Sequence, residues 1–64
     1  MEELRKILTV ELMKKHLEPK WILKTINMMT TEFQKQMMIK WLSNQEEITE
    51  NQLQQQIQII LEET

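Results

Sequence analysis

Residues 48–61, ITENQLQQQIQIIL, carry a helix start, an apolar face and a polar face in one uninterrupted segment. Thr49 with Gln52 three residues later makes a capping box, in which the threonine hydroxyl and the glutamine amide each satisfy a backbone N–H that a helix start leaves unpaired. Ile48 before the cap and Leu53 after it make a hydrophobic staple. Beyond the cap, Leu53, Ile57, Ile60 and Leu61 recur at the spacing that aligns side chains along one side of an α-helix, while the other side is rich in Gln. A helix is predicted over about 49 to 62.

The same punctuation repeats upstream. Thr30 or Thr31 is the N-cap of a preceding helix, with Thr31 and Gln34 forming a second capping box. Phe33, Met37, Met38, Trp41 and Leu42 then sweep out a wide apolar arc. This helix is predicted over 31 to 43, with Asn44 in the left-handed position that Gly usually takes at a helix C-terminus. Pro19 suits the first position of another helix, where its missing N–H costs nothing, and it stops whatever helix comes before. In this segment, predicted over 19 to 29, Trp21, Ile22, Leu23, Ile26, Met28 and Met29 cover more than half of the circumference. It is therefore expected to be the central element, with Lys20, Lys24 and Asn27 as a narrow polar strip.

The N-terminal segment has two readings. One helix from Glu2 to Leu17 aligns Leu4, Leu8 and Leu12 but sets Glu11 and Lys15 in the same face. A break at Thr9 removes the conflict: Thr9 becomes an N-cap, Leu8 and Met13 a staple, and Val10, Leu12, Met13 and Leu17 share one side with His16. The broken form is the expectation. The chain, residues 1–64, is thus read as a single small all-α domain. It is a bundle or orthogonal array of three main helices with one or two short N-terminal helical segments packed against them.

Composition narrows the function classes. The 64 residues contain no Gly, no Cys, one Pro and, by count, no Ala and no Asp. Without Gly there is no phosphate-cradling loop, no dinucleotide fingerprint and no tight two-residue hairpin. With no disulfide or Cys/His cluster, stability must come from well-packed helices or from a partner that completes a thin core. The 41% hydrophobic and 28% charged content is that of a folding chain. No uncharged run approaches the roughly 20 apolar residues of a membrane span. There is no continuous apolar segment of signal-peptide type at the N-terminus, so a cytoplasmic setting is expected. Heavy use of Ile, Met, Leu, Lys, Glu, Gln and Asn suits an AT-rich genome, bacterial or phage in kind.

Charge is unevenly distributed. Residues 1–40 hold all eight basic residues against five Glu, net +3, and residues 41–64 hold five Glu and no base, net −5; together they give the formal charge of −2. Segregated solvated helix faces account for this simply, although the two halves also suit docking onto a charged partner.

Catalysis finds little to work with. His16 has no Cys or Asp to partner it and no zinc-site spacing, and it reads as a structural side chain. Glu46 with Glu47, and Glu62 with Glu63, are sequence neighbours that diverge rather than converge on a substrate. Most of the Thr residues have capping roles, so no set of nucleophile, base and oxyanion donor can be assembled. No enzyme activity, cofactor or metal is expected.

Two binding readings remain. Short helices joined by short connectors have the outline of a helix-turn-helix regulator, with Lys14, Lys15, Lys20 and Lys24 as candidate phosphate contacts. Against this, the Gln-rich last helix carries Glu50, Glu62 and Glu63 and no base, so it meets phosphate with the wrong sign. The leading expectation is a non-enzymatic protein-interaction regulator, of inhibitor, adaptor or antirepressor type, that binds a larger protein and forms a two-fold dimer. Its candidate interface is Trp21, Leu23, Ile39 and Ile59. Ile39 lies about 240° from Phe33 and Ile59 about 240° from Leu53, so both fall off the predicted inner faces. The methionines at 28, 29, 37 and 38 are taken as core filling.

Overall fold

A computed structural model describes residues 2–63. Four helices follow in chain order: α1 Glu2–Lys14, α2 Pro19–Met28, α3 Glu32–Ser43 and α4 Glu50–Glu63. The fold is all-α. α1 packs on α2 and α3, and α4 packs on the same two helices from the other end of the chain. The extents of 24 × 24 × 22 Å are nearly equal, as crossed short helices give and an elongated bundle does not. No described helix is long and apolar enough to cross a membrane.

Both capping boxes form. Gln34 N donates to Thr31 Oγ1 at 3.1 Å while Thr31 N donates to Gln34 Oε1 at 3.2 Å. At α4, Gln52 N donates to Thr49 Oγ1 at 3.1 Å and Thr49 N to Gln52 Oε1 at 2.9 Å. Pro19 opens α2 as predicted. These signals are legible because each is closed by residues no more than three apart.

The N-terminal expectation is overturned. α1 is one continuous helix as long as its neighbours, with no break at Thr9. The Thr9 hydroxyl donates to Arg5 O at 2.7 Å, the bond a threonine makes inside a helix rather than at its start. Leu8 and Leu12 are wholly buried and Leu4 is half-buried, so the Leu4–Leu8–Leu12 face is the inner one. Glu11 and Lys15, which seemed to spoil that face, sit at its margins with their polar ends occupied. Lys15 Nζ donates to Gln45 O across the fold, and Glu11 pairs with Lys14 at 3.5 Å. Long charged side chains bury their stems and keep their heads in polar surroundings.

The core is eight fully or almost fully buried apolar residues: Leu8, Leu12, Met29, Met38, Leu42, Leu53, Ile57 and Ile60. Met29 and Met38 belong to it, and Met28 and Met37 pack partly buried against it, so the methionines fill the interior as expected. α2 is not central. Within its span only Thr25 is fully buried, its hydroxyl satisfied by donation to Trp21 O at 2.8 Å. Phe33 also departs from prediction, at 55% exposure, because α3 turns Gln34, Met38 and Leu42 inward and Phe33 lies about 140° away from Met38. The accessible surface of 4522 Å² is close to the roughly 4,400 Å² expected of a folded monomer of this mass. The core is small, but one chain closes it.

Without Gly, the left-handed turn after α1 falls on His16, at φ 60° and solvent-exposed, not on an inner face. Asn44, expected to play this part after α3, has φ −91° and ψ −2°; α3 ends instead by tightening, with Asn44 N on Trp41 O and Gln45 N on Leu42 O. A side chain bearing Cβ is strained in the left-handed region. His16→Gly is therefore expected to stabilise the fold by up to about 1 kcal/mol, raising the melting temperature by roughly 4–8 °C. Thermal denaturation followed by circular dichroism checks this; an unchanged or lower midpoint contradicts it.

Candidate protein-interaction surfaces

Helix α1 has a second apolar face. On the side away from Leu8 and Leu12, Ile7, Val10 and Met13 are 42%, 50% and 60% exposed. They follow one another at i, i+3 and i+6, so they form a contiguous stripe along the helix. Two shallow grooves flank Val10 on this surface: one of about 440 Å³ lined by Arg5, Lys6, Thr9 and Val10, the other of about 210 Å³ lined by Lys6, Ile7, Val10 and Glu11. They are the furrows between adjacent rows of side chains four residues apart, the features into which a second helix fits.

The residues singled out from sequence divide into two pairs. Leu23 on α2 and Ile59 on α4 are exposed, at 61% and 49%. Trp21 and Ile39 are half-buried and pack against the core. Lys24 Nζ lies 5.0 Å from the centre of the Trp21 ring, and the Trp21 Nε1 donor is buried without a hydrogen-bond partner. An indole held in this way serves packing first, since its polar edge is already withdrawn from solvent. The stripe on α1 was missed because the supposed break at Thr9 turned Val10 and Met13 inward.

The four lysines of the nucleic-acid reading do not form one free basic strip. Lys14 is paired with Glu11, Lys15 is spent on Gln45 O, and Lys24 lies over Trp21. Lys20 is exposed at the start of α2. A separate depression of about 300 Å³ among α1, α2 and the start of α3 is lined by Arg5, Ile26, Asn27, Met29, Thr30 and Lys35. It holds two cations and the Thr30 hydroxyl but no carboxylate, and Lys35 Nζ lies 3.5 Å from Thr30 O. Among the described residues no three His, Cys, Asp or Glu side chains gather as a metal site.

Fold and surface together define a small all-α chain whose first helix is apolar on two sides. Comparisons with protein-family models, curated proteins and solved structures find no match.

Proposed function

We propose that this chain is a small non-enzymatic protein-interaction regulator of inhibitor, adaptor or antirepressor type, acting in the cytoplasm, that binds a larger protein and self-associates. The observation that supports it is the outer face of α1, where three large apolar side chains lie in line on a helix whose other side already serves the core. Scattered exposed apolar residues are ordinary, but a contiguous row beside open grooves marks a surface for another chain. Leu23 and Ile59 add apolar anchors on other helices.

Light scattering across concentration tests self-association. The mass is expected to rise from 7.9 kDa toward that of a dimer, and a monomer mass up to several hundred micromolar overturns it. For the larger partner, the wild-type chain and the exposed-site variants Leu23→Asp, Ile59→Asp and Val10→Glu serve as baits in cell lysate. A captured protein lost with at least one folded variant supports the reading, and indifference to all three removes it. A helix-turn-helix regulator has less support, given the occupied lysines and the acidic α4. It would bind duplex DNA at low salt and lose that affinity steeply between roughly 50 and 200 mM.

A further inference from the structure

We infer that the outer face of α1 is the self-association surface and that it pairs with the same face of a second copy in antiparallel orientation about a two-fold axis. The inference rests on the self-association proposed above and gives it a place and a geometry.

The charges at the ends of the stripe carry the argument. Glu3, Ile7, Val10 and Lys14 are spaced by four, three and four residues, and they fall within an arc of about 60° on the helix. Both charged residues are exposed, Lys14 with 65% of its side chain accessible. Glu3 and Lys14 are equidistant from the midpoint of the Ile7–Val10 pair, which lies between Leu8 and Thr9. A two-fold axis through that midpoint therefore sets Glu3 of each copy beside Lys14 of the other, and Ile7 of each beside Val10 of the other. Parallel pairing sets Glu3 on Glu3 and Lys14 on Lys14, which is repulsive at both ends. The face is self-complementary in one orientation only.

The local geometry suits this arrangement. Val10 stands between the two grooves, so a second α1 offers Ile7 and Val10 to furrows already open on either side of it. Glu11 is 3.5 Å from Lys14 within one chain, so Lys14 in the dimer sits between Glu11 of its own chain and Glu3 of the other. A contact made by one helix per chain belongs to the class below about 1,200 Å², for which weak, transient association is expected. The monomer already closes its own core, so association adds to a folded unit and is not a condition of folding.

Charge reversal separates this pairing from any other. Glu3→Lys alone and Lys14→Glu alone each place like charges at both ends of the homodimer, and each is expected to weaken self-association about tenfold. Mixed in equal amounts, the two variants present opposite charges at both ends and are expected to recover near wild-type association as a heterodimer. Val10→Glu is expected to abolish association at every concentration where the wild type is dimeric, with helical content and urea midpoint unchanged. Sedimentation equilibrium on the full chain reads all of these. If the wild type associates but the mixture does no better than either variant alone, or Val10→Glu changes nothing, the α1 pairing is wrong while self-association stands. A wild type that stays monomeric removes both.

Discussion

Leu8→Ala is expected to lower the unfolding free energy by about 2–5 kcal/mol, while Val10→Ala, two residues away, changes it by less than about 0.5 kcal/mol. Leu8 has no exposed surface and lies in the cluster where α1 meets its neighbours, so truncation leaves a cavity that a small domain has few ways to refill. Val10 is half exposed on the opposite side of the same helix. Domains of this size have total stabilities of only several kcal/mol, so the Leu8 variant is expected to lose a large share of its stability. Urea denaturation at a concentration where the chain is monomeric measures both. A break at Thr9 predicts the reverse ranking, so comparable losses or a larger loss at Val10 would refute the continuous α1.

The second large effect concerns a polar side chain. Gln34 is only 7% exposed, and its Oε1 accepts from Thr30 N at 3.0 Å and from Thr31 N at 3.2 Å. Removing it takes the partner from two backbone donors at the joint between α2 and α3 and empties the space that the buried side chain fills. Loss of these bonds together with the buried side chain is expected to cost about 1–3 kcal/mol in Gln34→Ala. Gln52 has the same place in the capping box of α4 but is exposed, and its truncation leaves Thr49 N free to bond water. Gln52→Ala is expected to cost less than about 0.5 kcal/mol. Two glutamines with the same sequence signature thus differ several-fold in energetic weight, and equal losses in urea melts would show that burial of Gln34 does not matter.

The features that could be read in the chain are those whose partners lie close in sequence. Thr31 with Gln34 and Thr49 with Gln52 close their bonds within one helical turn, and Pro19 acts on its own backbone, so the starts of α2, α3 and α4 fall within a residue of prediction. The buried face of α4 was also legible, because Leu53, Ile57 and Ile60 face no competing apolar row of comparable length. The end of α3 was less so: without Gly, several ways of closing a helix have similar cost, and neighbouring packing chooses among them.

The candidate surface was hidden for a related reason. α1 has two rows of similar apolarity, Leu4–Leu8–Leu12 and Ile7–Val10–Met13, and nothing within the helix ranks them. Glu11 and Lys15 weighed against the first row until Gln45 O, thirty residues away in the chain, supplied a partner for the Lys15 ammonium. The same holds for Phe33, which belongs to an apolar arc by composition but lies on the side of α3 that meets no other helix core, and for Ile39, which packs inward although its phase points away from Phe33. Helix content and most helix ends follow from local hydrogen bonding and backbone sterics, which each segment carries in itself. Which face of each helix is buried, and so which face remains for another chain, depends on contacts between segments far apart in sequence, and only the packed structure settles that choice.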